Sequence, residues 1–351
     1  MMFNFFYYVA GNSNSSKHWL RRTLQHLVLL STFLCSINFA FSQKPALKPL
    51  FDDPVYHGAA DPVIIYNKAK NKWWMLYTNR RASINDSTVQ WVHGTRIGMA
   101  ESKDGRTWKY IDTANVNYRP DEGYTHWAPD VIEHKGIFHM YLTYVPGTFK
   151  DWNHPRVIVH LTSTDLKNWK YQSTLKLVNE KVIDASVYKV NDTLWRMWYN
   201  NEKDGKSIYY AESNDLYHWT DKGKAIATRG EGPKVFYWHN KYFMMVDAWR
   251  GMEIFGSDDL LNWKKQPQRI LENPGKGKDD QAIGGHCDVV VNDGRAYVYY
   301  FTHPGRNKIN PAAKGSFDDK RSVIQIAELE YSNETVTCNR DKPVIIKLKK
   351  P

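Results

Sequence analysis

Cysteine is scarce in this chain. Three occur in 351 residues, Cys35, Cys287 and Cys338. No two stand at a metal-binding spacing, so a paired-cysteine zinc module is excluded and no structural disulfide is expected. Long apolar runs are missing too. The one candidate, Leu27 to Phe41, is short and interrupted for a membrane span. It follows Lys17, Arg21 and Arg22 and precedes Ala40-Phe41-Ser42, the pattern of a secretory signal cut near Gln43. The expected division is a leader over 1–42, with an unusual N-terminal extension, and one domain over 43–351. The mature protein is then secreted or periplasmic, without stable membrane association. The other reading of the leader is an uncleaved anchor.

Basic blocks are also few. The net charge is +11, and Lys17, Arg21 and Arg22 leave +8 for residues 43–351. No basic stripe or known nucleic-acid module appears, so nucleic acid is not an expected partner. A generally basic surface could still favour an anionic polymer, such as a sulfated saccharide. No long amphipathic helical segment follows the leader. What remains is enough chain for one large all-β domain. It is rich in aromatics, 14% of residues with 14 Trp, which serve a core or a sugar equally well.

Two repeats organise that domain. Acids recur at the head of hydrophobic strand pairs: Asp61, Asp130, Asp184, Glu231 and Asp288, at intervals of 69, 54, 47 and 57 residues. A second marker, Ser-x-Asp-x-x-x-Trp, occurs at Ser102–Trp108, Ser163–Trp169, Ser213–Trp219 and Ser257–Trp263. It reads as a polar turn delivering a tryptophan to the next strand. Polar breaks at 67–71, 134–136, 191–193, 239–240 and 292–294 read as hairpin turns. A regular period of this kind signals a repeat architecture. The expected fold is a five-bladed β-propeller of four-stranded antiparallel blades, all-β, with the acids at one structural point in each blade. In the fifth blade, Val323–Glu330 is the expected third strand and Val344–Leu348 the fourth. Long loops at 79–95, 113–126, 146–156 and 302–320 suit a functional mouth.

Ala60-Asp61-Pro62, Trp127-Ala-Pro-Asp130, Ile183-Asp184-Ala185, Glu231-Gly-Pro233 and Gly285-His286 resemble the five-bladed glycoside hydrolases of families 43 and 117. The resemblance spans nearly the whole mature chain. Finer segments resemble family 117: Tyr77-Thr-Asn-Arg80, Val92-His-Gly-Thr95, His139-Met-Tyr141, Tyr144-Val-Pro-Gly147, Asp151-Trp152, Trp195-Arg-Met-Trp198 and Phe301-Thr-His-Pro304. That family is associated with release of 3,6-anhydro-L-galactose from agar oligosaccharides, which implies an exo-acting enzyme on red-algal galactans. Its members carry a histidine just before the glutamate; here Gly230 stands there.

The resemblance implies Asp61 as base, Asp184 as the carboxyl that tunes the acid, and Glu231 as general acid. Because of Gly230, a loop histidine is the other candidate for the acid. Cleaving an acetal with inversion needs one carboxylate to activate water and a second group to protonate the leaving oxygen. Asp130 and Asp288 are read as structural. Arg80, His93, His126, Trp127, Trp249 and His303 are candidates for sugar contact. No cofactor is needed for the chemistry. His286 resembles a histidine that helps hold an axial cation in relatives, so a structural divalent cation is one expectation. A histidine bonded to a neighbouring acid is the other. Some relatives pair as homodimers through a helical N-terminal arm. The segment before Asp61 shows no such helix, and a homodimer stays open. Two further readings compete: a family 43-like arabinofuranosidase or xylosidase, and a sugar-binding propeller without catalysis.

Overall fold

The computed structural model describes residues 44–119 and 123–351; the leader expected over 1–42 lies outside the described residues. Five blades follow in chain order. Blade 1 is β1 (Ala59–Asn67), β2 (Lys72–Asn79), β3 (Arg96–Ser102) and β4 (Lys109–Thr113). A short β5 (Asn115–Asn117) then leads to blade 2: β6 (Thr125–His134), β7 (Ile137–Val145), β8 (Val157–Ser163) and β9 (Asn168–Thr174). Blade 3 is β10 (Val182–Asn191), β11 (Leu194–Asn201), β12 (Ser207–Ser213) and β13 (Thr220–Ile226). Blade 4 is β14 (Glu231–Trp238), β15 (Lys241–Asp247), β16 (Met252–Ser257) and the short β17 (Lys264–Lys265). Blade 5 is β18 (Gly285–Asn292), β19 (Arg295–Thr302), β20 (Val323–Ser332) and β21 (Thr335–Cys338). Each is an antiparallel meander of four strands, as expected. Blade 2 gains a fifth strand because β5 pairs parallel to β9.

Strand alternation builds the seams. On β2, Trp73, Met75 and Tyr77 face blade 5, packing with Val290, Tyr297 and Tyr299. Trp74 and Leu76 face the other way and pack with Val131, Met140 and Leu142 of blade 2. The remaining seams repeat this, Trp195 and Met197 against Tyr141 and Ile158, and Val235 and Met244 against Trp198. A strand buried on both faces has to be apolar throughout, which is why the inner strands read as continuous hydrophobic runs.

The tryptophan repeat is a capped turn. Each serine Oγ accepts the N–H groups two and three residues on, as Ser213 does from Asp215 and Leu216 at 3.2 and 2.9 Å. Each Asp Oδ1 then accepts the N–H two residues further on. The residue after the Asp is left-handed: Gly105, Leu166, Leu216 and Leu260, with φ of 78°, 65°, 69° and 64°. Leucine is strained there, but all three leucines are buried and that burial offsets the strain. The indole N–H of Trp108, Trp169 and Trp219 donates to the carbonyl of that same residue. In the fourth copy Arg196 takes the Leu260 carbonyl instead.

Two expectations are corrected. The fourth strand of blade 5 is β21, not Val344–Leu348. Asn333 and Glu334 both adopt positive φ, 49° and 57°. They form a two-residue hairpin that pairs β20 with the segment immediately following. Val344, Ile346 and Leu348 instead fill the seam between blades 5 and 1. There the Leu348 N–H bonds the Asp104 carbonyl at 2.8 Å.

The five acids also do not share one point. The inner strands of all five blades carry a bulge, at 60/63, 127/130, 183/186, 231/234 and 285/287. In that register Asp61 matches Ala128, Asp184 and Gly232, Glu231 lies one residue earlier, and Asp130 lies deeper. Truncation after Pro343 should lower stability by about 5 kcal/mol or more, since it removes three buried aliphatic side chains at roughly 1.5–3 kcal/mol each. Denaturant unfolding measures this.

Candidate active site

The bulges determine which backbone groups face the mouth. Asp61 and Asp184 sit in them with φ of 50° and 60°, and Gly232 with 56°. A non-glycine residue in this region is uncommon and costs backbone strain. The strain is held by side chains at the end of each preceding blade's second strand. Thr78 Oγ1 accepts the Ala128 N–H at 2.8 Å, and Thr143 Oγ1 accepts the Asp184 N–H at 3.0 Å. Asn200 Nδ2 donates to the Gly230 carbonyl. Asp247 Oδ2 accepts the His286 N–H at 2.7 Å. In blade 5 the matching residue is Phe301, whose ring lies 4.6 Å beneath the Arg80 guanidinium.

Asp61, Asp184 and Glu231 converge on this mouth. The His286 ring links the first two: Nδ1 is 3.6 Å from Asp61 Oδ1 and 3.9 Å from Asp184 Oδ2. Asp184 Oδ2 also accepts the Gly232 N–H at 3.1 Å, the residue adjoining Glu231. Arg80 Nη2 lies 3.1 and 3.3 Å from the two Asp61 oxygens. Glu231 Oε1 accepts the Trp249 indole N–H at 3.0 Å. Lys206 Nζ is 3.8 Å from Glu231 Oε2.

Burial pushes the Asp184 carboxyl well above the carboxylate range, and the charges of Glu231, Asp61 and Glu202 push it further. Glu231 is also raised, first by burial and then by Asp61, against the opposing pull of Lys206 and Trp249. Asp247, paired across the strands with Glu231, is raised to about 7 by burial and by the Glu231 charge. Burial lowers His286, which favours its neutral form.

Below this layer the axis holds an ammonium group. Lys234 Nζ stands 2.9 Å from Asp130 Oδ1 and 2.9 Å from Asp288 Oδ1. The second oxygens of those aspartates accept N–H groups from the next blade, Val187 at 2.7 Å and Ile64 at 2.6 Å. This matches the structural reading of Asp130 and Asp288. His286 stands in the layer above, beside Asp61 and Asp184. Among the described residues no three His, Cys, Asp or Glu side chains are grouped to hold a metal, and Lys234 supplies the positive charge between the axial acids.

The other candidates divide. Trp249 is 40% exposed at the mouth beside Glu231. Arg80 touches Asp61 directly. His303 is buried and acts through Arg80: Nδ1 bonds the Arg321 carbonyl at 2.8 Å, and Nε2 faces Arg80 Nη1 at 3.1 Å. Burial and the charges of Arg306 and Arg80 hold it well below its usual value, so it is the neutral tautomer that accepts from Arg80. Trp127 is nearly buried, its indole N–H on the Val92 carbonyl at 2.6 Å.

His93 and His126 are corrected as sugar contacts. His126 is 1% exposed, stacked on Tyr124 at 4.3 Å, and burial holds it at about 3. His93 is equally buried under Trp127, Phe149 and Trp152. Both lie next to polar loop residues, which is why the sequence suggested a mouth position. Lys206, Lys234 and Asp247 were missed. Asp247 had a signal: like Thr78, Thr143 and Asn200, it follows its bulge by some fifteen residues.

A side chain at Gly230 has no room. A Cβ there would stand 2.3 Å from Val246 Cγ1 and 2.9 Å from the Asp247 carbonyl oxygen. The histidine that family 117 carries at this point would need the Val246 side chain and the Asp247 backbone to shift.

Comparison with known proteins agrees with this fold. The model of glycosyl hydrolases family 43 matches residues 51–302. A probable sucrose-6-phosphate hydrolase of Vibrio cholerae serotype O1 (strain ATCC 39315 / El Tor Inaba N16961) is 24% identical over 219 residues, 54% of this chain and 39% of the relative. One from Psychromonas ingrahamii is 24% identical over 185 residues, 44% of this chain and 33% of the relative. The chain therefore spans well under half the length of these curated relatives. A thermostable family-43 glycoside hydrolase superposes with a TM-score of 0.61 at 19% identity, covering 86% of this chain and 98% of that one. A β-xylosidase/α-arabinofuranosidase from a compost microbial metagenome, in complex with xylotriose, gives 0.59 at 13%, covering 80% and 94%. At such identities the structural likeness shows the fold alone.

Replacing Lys234 by Met should destabilise the protein by about 3–5 kcal/mol, because Asp130 and Asp288 are left buried without a counter-charge. Thermal or denaturant melting measures the loss.

Proposed function

The chain belongs to glycosyl hydrolase family 43, and on that footing we propose that it is an inverting exo-glycosidase removing a terminal sugar from an oligosaccharide. Asp61 is the base that activates water. Glu231 is the general acid that protonates the leaving oxygen. Asp184 tunes that acid and orients the pair. The observation that carries this reading is the convergence of three carboxyls of which two are pushed towards the protonated form. Pairs of carboxyls with separated affinities for the proton divide the acid and base roles. Arg80, braced by His303 and Phe301, lies against Asp61 and fixes its orientation.

For the sugar, we favour a terminal pentose of the arabinofuranose or xylose kind. The family match and the named activity of a structural neighbour support it. A second reading, release of a terminal anhydro-galactose from red-algal galactan, draws on Val92–Thr95 and Phe301–Pro304. Gly230 weighs against it, since a histidine there would crowd the Val246 side chain and the Asp247 carbonyl. Cleavage of aryl arabinofuranoside and xyloside against neoagarobiose separates the two. The basic start and apolar run up to Ser42 support export, which N-terminal sequencing of the exported protein tests.

Asp61→Asn should lower turnover by about 10²–10⁴-fold while leaving the melting temperature nearly unchanged. Glu231→Gln should cost as much on substrates with poor leaving groups and far less on an activated aryl glycoside, where the leaving oxygen needs little protonation. Equal loss on both would remove Glu231 from the acid role. Proton NMR of the first-formed product should show an inverted anomeric centre.

A further inference from the structure

The Glu231 side of the mouth carries cations that the reaction does not use. Trp249 stands there with φ of 56°, an outlier for a bulky side chain. Its N–H bonds Asp247 Oδ1 at 2.7 Å and its indole N–H bonds Glu231 Oε1 at 3.0 Å. The strained indole is thus held by the acid and by the acid's cross-strand neighbour. Two cations lie against it. Lys206 Nζ is 5.2 Å from the ring centroid, and the Arg229 guanidinium carbon is 5.4 Å away.

These charges are incompletely matched. Arg229 is exposed, and among the described residues no carboxylate forms an ion pair with it. Lys206 has Glu202 at 2.6 Å, but Arg156 takes the other oxygen of the same carboxylate at 2.6 Å. Glu231 must carry a proton to act as an acid, so in the reactive form it adds no charge here. A guanidinium lying on an aromatic face keeps its N–H edges free, in the fork geometry that suits an oxyanion.

We propose that Arg229 and Lys206, stacked on Trp249, form a leaving-group subsite for a sugar bearing an anionic oxyacid substituent, a sulfate ester or a carboxylate. The proposal rests on Glu231 being the general acid, because that places the leaving sugar on this side. It adds a charge requirement to the substrate class, on the sugar that departs rather than on the one released from the terminus. The acetal chemistry is unchanged: the anionic group is bound, not transferred.

Binding tests it independently of turnover. Galactose 6-sulfate, galacturonic acid, galactose and inorganic sulfate are titrated against the full chain by tryptophan fluorescence at low ionic strength. At least one anionic sugar should bind about ten-fold tighter than galactose and tighter than inorganic sulfate. The advantage should shrink in 0.5 M salt, about 3–5 times the physiological ionic strength at which screening is already felt within roughly 8 Å. Preference for galactose 6-sulfate identifies a sulfate ester, and preference for galacturonic acid a carboxylate.

Arg229→Ala should abolish the advantage and leave galactose binding unchanged. Lys206→Met should reduce it, and melting curves check that both variants are folded. Equal binding of all three sugars, or an advantage that survives in both variants, overturns the subsite. Aryl glycoside hydrolysis is followed separately. In the wild type, hydrolysis without any binding preference sinks this subsite alone, and a preference without hydrolysis sinks the proposed function alone.

Discussion

Four of the five inner strands at the mouth depend on one repeated constraint, a hydrogen bond from the second strand of the preceding blade. Thr78, Thr143, Asn200 and Asp247 each hold a neighbouring inner strand at the point where its register slips. Without that hold, a left-handed Asp184 would relax to ordinary extended backbone and carry its carboxyl away from the axis; Asp61, whose preceding blade offers Phe301, is held instead by Arg80. The clamps are buried, so little competing water reaches them. Strain at the bulge is therefore supported by the packing of the seams, which are apolar on both faces.

A second layer explains why acids can gather at all. Like charges brought into a low-dielectric centre repel strongly, and the usual outcome is protonation. The propeller separates the problem by depth. At the lower level Asp130 and Asp288 share Lys234 and accept backbone N–H groups, so both remain matched. At the upper level the match is deliberately incomplete. Arg80 serves Asp61, whereas Asp184, Glu231 and Asp247 crowd one another and are raised. The same carboxyl chemistry thus gives a scaffold below and reactivity above.

Much of this was legible in the sequence. The blade count and the hairpin turns follow from period and pattern, because a buried sheet leaves clear periodicity; Asp61, Asp184 and Glu231 were singled out from the five repeated acids by the family resemblance. What escaped follows from register and from local competition. Nothing in the sequence reveals a one-residue bulge, so five acids that look equivalent fall at different depths. Val344–Leu348 reads as a strand, yet the Asn333–Glu334 hairpin pairs with nearer chain first. His93 and His126 look like loop residues, but aromatic neighbours from other segments bury them. Lys234 lies in an ordinary strand, and only tertiary structure shows the two carboxylates it joins.

The central claim is that burial at the bulge layer, reinforced by the Asp61 charge, makes Glu231 an acid. A ¹³C titration of the Glu231 side-chain carboxyl, in the wild type and in Asp61→Asn, tests it most directly. The account predicts a midpoint above the ordinary glutamate value of 4.5 that falls when the Asp61 charge is removed. A midpoint at or below 4.5 in the wild type, or one unmoved by the substitution, would contradict it.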